Sequence, residues 1–242
     1  MVQTAAYQIY PIGDQGITLD YGGEMSETVN RKIFQLFKSL QNWQSDAILD
    51  IIPAYHSISI IYDLIKIKKL AGEYSAYHYV ETKLRVTESL LSDQTNELFE
   101  ERKVEIPVCY DLSLAPDLIE LASAQQLSAE EVIEIHCSKT YRIYMIGFLP
   151  GFAYMGSVDS RIASPRKASP RTNVPAGSVG IAGTQTGIYP FDSPGGWQLI
   201  GQTPLQLFDT TKENPTLLEP GDQVRFYAIS LEEFHHLKNN QS

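Results

Sequence analysis

Two arginines, Arg166 and Arg171, each stand directly after a proline in a stretch, residues 165–204, that reads PRKASPRTNVPAGSVGIAGTQTGIYPFDSPGGWQLIGQTP. Proline stiffens the backbone ahead of each guanidinium. An arginine fork binds a carboxylate or a phosphate through two parallel N–H bonds. In an extended chain the pair lie about 15 Å apart, so they can serve different groups. The plain alternative is two surface salt bridges. Downstream, Trp197 follows Gly195 and Gly196. It can be core, or it can wall a pocket whose glycines let a ligand come close.

Other residues tempt a chemical reading and resist it. Gly177, Gly180, Gly183 and Gly187 have the composition of a phosphate cradle, but no Lys-Ser or Lys-Thr follows the last of them as a Walker loop requires. Val179-Gly180-Ile181 alternates as a strand would, so a turn-rich barrel edge is the competing reading. Ser178 sits in Ala-Gly-Ser-Val-Gly, without the Gly-x-Ser-x-Gly spacing of a nucleophile elbow. His136 and Cys137 are adjacent, but neighbours on a helix do not face each other. Cys137 reads as a small packed residue. His136, between a helix and a strand, can cap carbonyls or face a site. No His, Cys, Asp or Glu set has a metal-ligand spacing, so no metal is expected.

The elements that must position these residues are partly legible. Ten of the 16 glycines lie between Gly147 and Gly201. Glycine costs about 1 kcal/mol against alanine inside a helix, so this region is not helical. Val174, Val179, Ile181, Ile188, Tyr189, Phe191, Trp197, Leu199 and Ile200 give it too much to bury for a linker. Short strands joined by tight turns are expected. Strands are expected at 104–108, 140–148 and 223–228, and helices at 117–126, after Ser128 and after Ser230. The last two carry glutamate three residues on, the capping-box spacing. Many short strands with two or three helices suggest a closed or partly closed barrel.

Upstream, strands at 7–10 and 16–20 flank a Gly13-Asp14 turn. Ser26 reads as an N-cap before Val29, Ile33, Leu36, Phe37 and Leu40 at helical spacing. Strands follow at 47–52 and 57–62, then a helix over about 74–91. The order β, β, α, β, β, α predicts a small α/β sandwich with helices on one side of a mostly antiparallel sheet. The polar run SDQTNELFEER marks a domain boundary.

Composition narrows the classes. The chain has 242 residues, 43% of them hydrophobic, and a net charge of −10. That charge argues against a nucleic-acid or anionic-membrane partner, since both need clustered positive charge. Two cysteines, Cys109 and Cys137, are too few for a secreted disulfide framework, which points to the cytoplasm. The amino terminus has neither a basic start nor an apolar run, so no signal peptide is expected. No apolar run of about 18 residues would span a membrane.

At this point longer motifs become recognisable. YMIGFLPGFAYMG, SPRKASPRTNVPAGSVGIAGTQTGIYP and SPGGWQLIGQTP, with PGDQVRF, IPVCYD and the IYPIGD start, resemble the allophanate hydrolase subunit 1 family, which includes KipI and the bacterial 5-oxoprolinase component PxpB. The resemblance covers essentially the whole chain. It implies an α+β protein: a small α/β amino-terminal domain, placed at 1–95, and a cyclophilin-like β-barrel domain, placed at 96–242. It implies the B subunit of an ATP-dependent 5-oxoprolinase, which opens 5-oxo-L-proline to L-glutamate together with A and C subunits, the C subunit being cyclophilin-like. Alternatives within the resemblance are an inhibitor of a sporulation-type histidine kinase and a carboxyltransferase component for urea or allophanate. No biotin-carrier or carboxylase segment supports the last, and nothing marks a kinase-docking surface. Carried onto this sequence, His136, Arg166 and Arg171 are the catalytic candidates. Gly177, Ser178, Gln185, Tyr189, Gly195, Gly196, Trp197 and Thr203 are the substrate-binding candidates. Gln202 departs from the family's usual Gly-Arg-Thr-Pro run and loses one potential anion contact. ATP is expected in the complex, and the missing nucleotide loop implies a site shared with a partner chain.

Overall fold

The computed structural model describes residues 7–43, 45–93 and 101–240. The chain forms two units, residues 1–100 and 101–242. Most of the polar run read as a boundary lies outside the described residues.

In the first unit, strands β1 (Gln8–Ile12) and β2 (Gly16–Asp20) form a hairpin whose turn uses Gly13 at φ 57°. Helix α1 (Glu27–Gln41) follows, then β3 (Ile48–Pro53), β4 (Ser57–Tyr62), α2 (Leu64–Ala71) and α3 (Ala76–Asp93). The sheet runs β1-β2-β4-β3, antiparallel throughout. Period-2 alternation puts Ile17, Leu19, Ile58, Ile60 and Tyr62 on one face. Ile33, Leu36 and Leu40 of α1 and Val80 and Leu84 of α3 pack in the same core. On β2 and β4, Thr18 and Ser59 stand in register and share a hydrogen bond of 2.8 Å. The expected sandwich is present with one addition, α2. Its LIKIKKLA sequence alternates apolar and basic residues at its start, and the helix buries Ile67 and Ala71 at i, i+4 spacing. Its start is set by Asp63, whose carboxylate accepts from the N–H groups of Ile65 (2.9 Å) and Lys66 (3.0 Å). Ser26 is extended before α1 as an N-cap should be, but its side chain makes no capping bond. A groove of about 640 Å³ is lined by Leu64, Ile65, Lys68, Lys69, Glu73, Ser75 and Ala76.

The second unit begins with β5 (Lys103–Cys109), α4 (Leu118–Ala124), α5 (Ala129–Ser138), β6 (Thr140–Ile146) and β7 (Ala153–Gly156). The glycine-rich region supplies β8 (Arg171–Val174), β9 (Ser178–Ala182), β10 (Gln185–Ile188), β11 (Ser193–Gly195) and β12 (Gln198–Gln202). Strand β13 (Gln223–Ile229) and helix α6 (Leu231–Asn239) complete it. Seven strands close a barrel in the order β10-β7-β6-β13-β5-β12-β9. Its core holds Ile106, Val108, Ile143, Met155, Val179, Ile181, Ile188, Val224 and Phe226, joined by Leu118 and Leu121 of α4 and Val132 and Ile135 of α5. Both expected capping boxes form, at Ser128–Glu131 and Ser230–Glu233. Strands β8 and β11 stay out of the barrel and pair as a two-stranded ribbon.

Candidate functional site

The ribbon and the barrel share a second, smaller core: Phe152, Val174, Ala182, Tyr189, Trp197 and Leu199. Glycine makes room for it. Gly180 of β9 and Gly187 of β10 stand opposite each other in register. A Cβ on Gly180 would lie 3.0 Å from the Trp197 Cβ, and one on Gly187 would lie 3.1 Å from its Cζ3 and 3.2 Å from the Phe152 ring. The glycine pair is thus a seat for an indole. Trp197 is 4% exposed and meets Phe152 edge-on at 5.4 Å. Its backbone N–H donates to the Tyr189 hydroxyl. Gly195 lies against the same phenol, where a Cβ would come within 2.5 Å of the hydroxyl oxygen.

Three cations gather beside this core. The segment carrying them is tied down by the bonds from Lys167 N–H to the Gly196 carbonyl (2.8 Å) and from the Gln198 side chain to the Pro165 carbonyl (3.0 Å). The Arg166 guanidinium sits 5.9 Å from the Trp197 ring and is exposed. Lys167 Nζ donates to Asp117 Oδ1 at 2.8 Å and to Glu120 Oε2 at 3.2 Å, and Arg171 Nη2 donates to Asp117 Oδ1 at 2.6 Å. Asp117 is 1% exposed and immediately precedes α4. Its Oδ2 accepts from Leu199 N–H at 2.7 Å, while its own N–H donates to the Leu199 carbonyl at 3.0 Å. Burial pushes the Asp117 carboxyl up; the bonds from Arg171, Lys167 and Leu199 N–H outweigh it and hold the group below its ordinary range. Arg171 Nη1 is buried without an acceptor. Lys167 and Arg171 are matched by Asp117 and exposed Glu120, and Arg166 beside them leaves a local excess of positive charge on a chain whose net charge is −10. Such an excess can bind an anion.

The expected residues divide among three places. Arg166, Arg171, Tyr189, Gly195, Gly196 and Trp197 come together here. Gln185 opens β10 on the same face as Gly187 and is half-buried. Gly177, Ser178 and Thr203 form a backbone knot alongside. Gly177 N–H donates to the Tyr189 carbonyl (2.7 Å), Tyr189 N–H to the Ser178 carbonyl (2.9 Å), and Thr203 N–H to the Gly177 carbonyl (2.9 Å). Gln202, the family departure, donates its side-chain amide to the Ala176 carbonyl at 2.5 Å and so stitches the same turn.

His136 does not join them. It lies fully buried among barrel residues, stacked on Phe226 at 4.6 Å. Nδ1 is 2.8 Å from the Tyr110 hydroxyl and Nε2 is 3.1 Å from Thr186 Oγ1. Thr186 spends its own proton on the Gly180 carbonyl at 3.0 Å, so Nε2 carries the imidazole proton and Nδ1 accepts from Tyr110. Burial lowers this imidazole to about 3, which keeps it neutral. Neither nitrogen is open to a substrate, and the catalytic reading of His136 is dropped. The residues that sequence reasoning passed over are Asp117 and Lys167. Their signal was present: three basic residues within PRKASPR, in an acidic chain, call for a counter-ion.

A family model described as "Carboxyltransferase domain, subdomain C and D" matches residues 7–218. The chain belongs to that family. A relative from Bacillus subtilis (strain 168), named as the B subunit of 5-oxoprolinase, is 42% identical over 239 residues, covering 99% of this chain and 100% of the relative. A relative of the same name from Haemophilus influenzae is 37% identical, covering 93% and 99%. Among solved structures, the conserved uncharacterized protein PH0987 from Pyrococcus horikoshii is 41% identical with a TM-score of 0.54, covering 94% of this chain and all of that one. TTHA0988 is 38% identical with a TM-score of 0.76; the match covers 89% of this chain and 40% of that longer chain. The Kluyveromyces lactis urea amidolyase shares the fold at 22% identity, with a TM-score of 0.76 and 15% of its chain covered. The resemblance read from the glycine-rich motifs is therefore a family relationship along nearly the whole chain.

Proposed function

We propose that the chain is the B subunit of an ATP-dependent 5-oxoprolinase, a cytoplasmic complex that opens 5-oxo-L-proline to L-glutamate together with an A subunit and a barrel-type C subunit. The observation that carries this reading is the near end-to-end match, at 37–42% identity, to relatives named as the B subunit of 5-oxoprolinase. The match to the urea amidolyase of Lachancea kluyveri is 28% identical and covers 13% of that protein, which favours a carboxyltransferase role less.

A five-membered lactam is a stabilised amide and a poor electrophile, so its opening needs activation. The glycine stretch of this chain does not suit a nucleotide. Gly177 N–H is taken by Tyr189 and Gly183 N–H by the Ser164 carbonyl, and both glycines serve turns at positive φ. These amides do not converge as a phosphate cradle would. In this reading ATP belongs to a partner protein or to a site completed by one, and this chain supplies the cationic surface around Arg166 and Arg171.

The test is to purify the chain alone and co-expressed with candidate A and C subunits, then to follow 5-oxoproline-dependent release of ADP and glutamate. Turnover is expected only from the assembled set. Turnover by the isolated chain would overturn the shared site. An assembled set that releases no glutamate would overturn the function.

A further inference from the structure

We propose that Arg166 and Arg171 are the receptor for the carboxylate of the lactam substrate, with Asp117 and Lys167 as the positioning residues that hold Arg171 and its segment in place. The inference rests on the functional reading above and adds to it the part of the substrate that this chain recognises.

The two arginines differ in a way that suits the task. Among the described residues, Arg166 has no carboxylate partner; its guanidinium is exposed and faces the Trp197 ring. It is a held cation with its N–H fork unspent. Arg171 spends Nη2 on Asp117 and leaves Nη1 buried and unsatisfied. Leaving a buried N–H without a partner costs its desolvation, so native structures rarely keep one. The other buried polar side-chain atom without a partner among the described residues is Ser193 Oγ. Both belong to the β8–β11 ribbon, where Gly195 pairs with Arg171 and Ser193 with Val174. The ribbon thus keeps two buried polar groups without a protein partner, and the N–H of Arg171 needs an acceptor. A carboxylate is an acceptor only, with two oxygens and up to four lone-pair sites, and it carries the charge the cluster lacks.

At Gly196 a Cβ would rest against Pro170 at 3.6 Å and the Lys167 carbonyl at 3.8 Å, so this backbone packs directly on the segment that carries both arginines. Asp117 explains why the cluster does not collapse into simple pairs. It binds Lys167, Arg171 and Leu199 N–H at once, which fixes Arg171 through β12 and leaves Arg166 to the ligand.

The test uses the assembled complex and separates the Michaelis constants. Arg166→Ala should raise KM for 5-oxoproline about tenfold and leave KM for ATP within about twofold. Arg171→Ala would take one of two cations from buried Asp117, so Arg171→Lys is the better variant: it keeps that cation and removes Nη1, and should also raise KM for 5-oxoproline. Asp117→Asn should raise the same constant with kcat little changed, whereas a merely structural role would lower the yield of complex and leave KM alone. If Arg166→Ala raises KM for ATP instead, the cluster receives a phosphate and the proposal fails. If neither constant moves in a complex that turns over normally, the arginines are surface cations and the proposal also fails, with the functional reading intact. A wild-type complex without turnover would overturn the functional reading, and this assignment with it.

Discussion

At the scale of single residues, the backbone demands of the glycine stretch are unequal, and this can be measured. Gly177 stands at φ 81°, and a Cβ there would lie 2.4 Å from the Thr203 carbonyl oxygen. Gly183 stands at φ 60° with nothing within 4 Å. Gly183→Ala should cost about 1–2 kcal/mol from conformation alone. Gly177→Ala adds a backbone clash and should cost more than about 3 kcal/mol; urea denaturation of the two variants checks the order. His136 makes a separate prediction. Its unfolded value is near 6.5 and its folded value about 3, lowered by burial. Between those values the unfolded chain binds the extra proton, so stability falls as pH drops below about 6.5, by up to about 1.4 kcal/mol per pH unit. His136→Gln should flatten that slope in denaturation midpoints between pH 6.5 and 4.5; an unchanged slope would show that other groups set it. The arginines were legible in the sequence because proline and glycine punctuate them. Asp117 was not, because a lone aspartate at a helix start reads as an ordinary capping residue. His136 was placed correctly at the end of a helix and before a strand, but its role was not legible, because nothing local shows that Tyr110 and Thr186 engage both ring nitrogens.

At the scale of elements, local signals were read well where they are local. Both capping boxes, the β1–β2 hairpin and β13 after its Pro-Gly-Asp turn were visible from spacing. Helix α2 was not: its eight residues bury Ile67 and Ala71, too short a stripe to stand out while Ile65 and Leu70 are exposed. Its definition by Asp63 predicts that Asp63→Ala costs about 1 kcal/mol, a typical capping loss, in the melting of the amino-terminal unit. The sequence left Trp197 open between core and pocket wall. Its 4% exposure and its seat on Gly180 and Gly187 make it the centre of the small aromatic core. Trp197→Ala should therefore cost about 3–5 kcal/mol and lower Tm by itself, before any partner is added. A Tm unchanged by that substitution would return Trp197 to the pocket wall.

At the scale of the whole molecule, the α/β unit and the barrel were both foreseeable from the order of elements. The manner of closure was not, because register between distant strands leaves no mark on either one. Strand β13 pairs in parallel with β5 from Gln223↔Lys103 to Ile229↔Cys109. The ends of the barrel are clamped there by the Arg102–Asp222 ion pair and by Arg142 on Glu101 at 2.5 Å. Its first strand therefore waits for its last. During synthesis β5 emerges early and stays without β13 beside it until more than a hundred further residues have been added. Contacts so distant along the chain form slowly, and an unpaired apolar strand is a site for wrong pairing. Ribosome-bound chains stopped before residue 223 should leave the barrel sequence open to protease, and chains extended far enough to free Ile229 from the exit tunnel should protect it. The burden on cellular chaperones would then fall on that interval of translation.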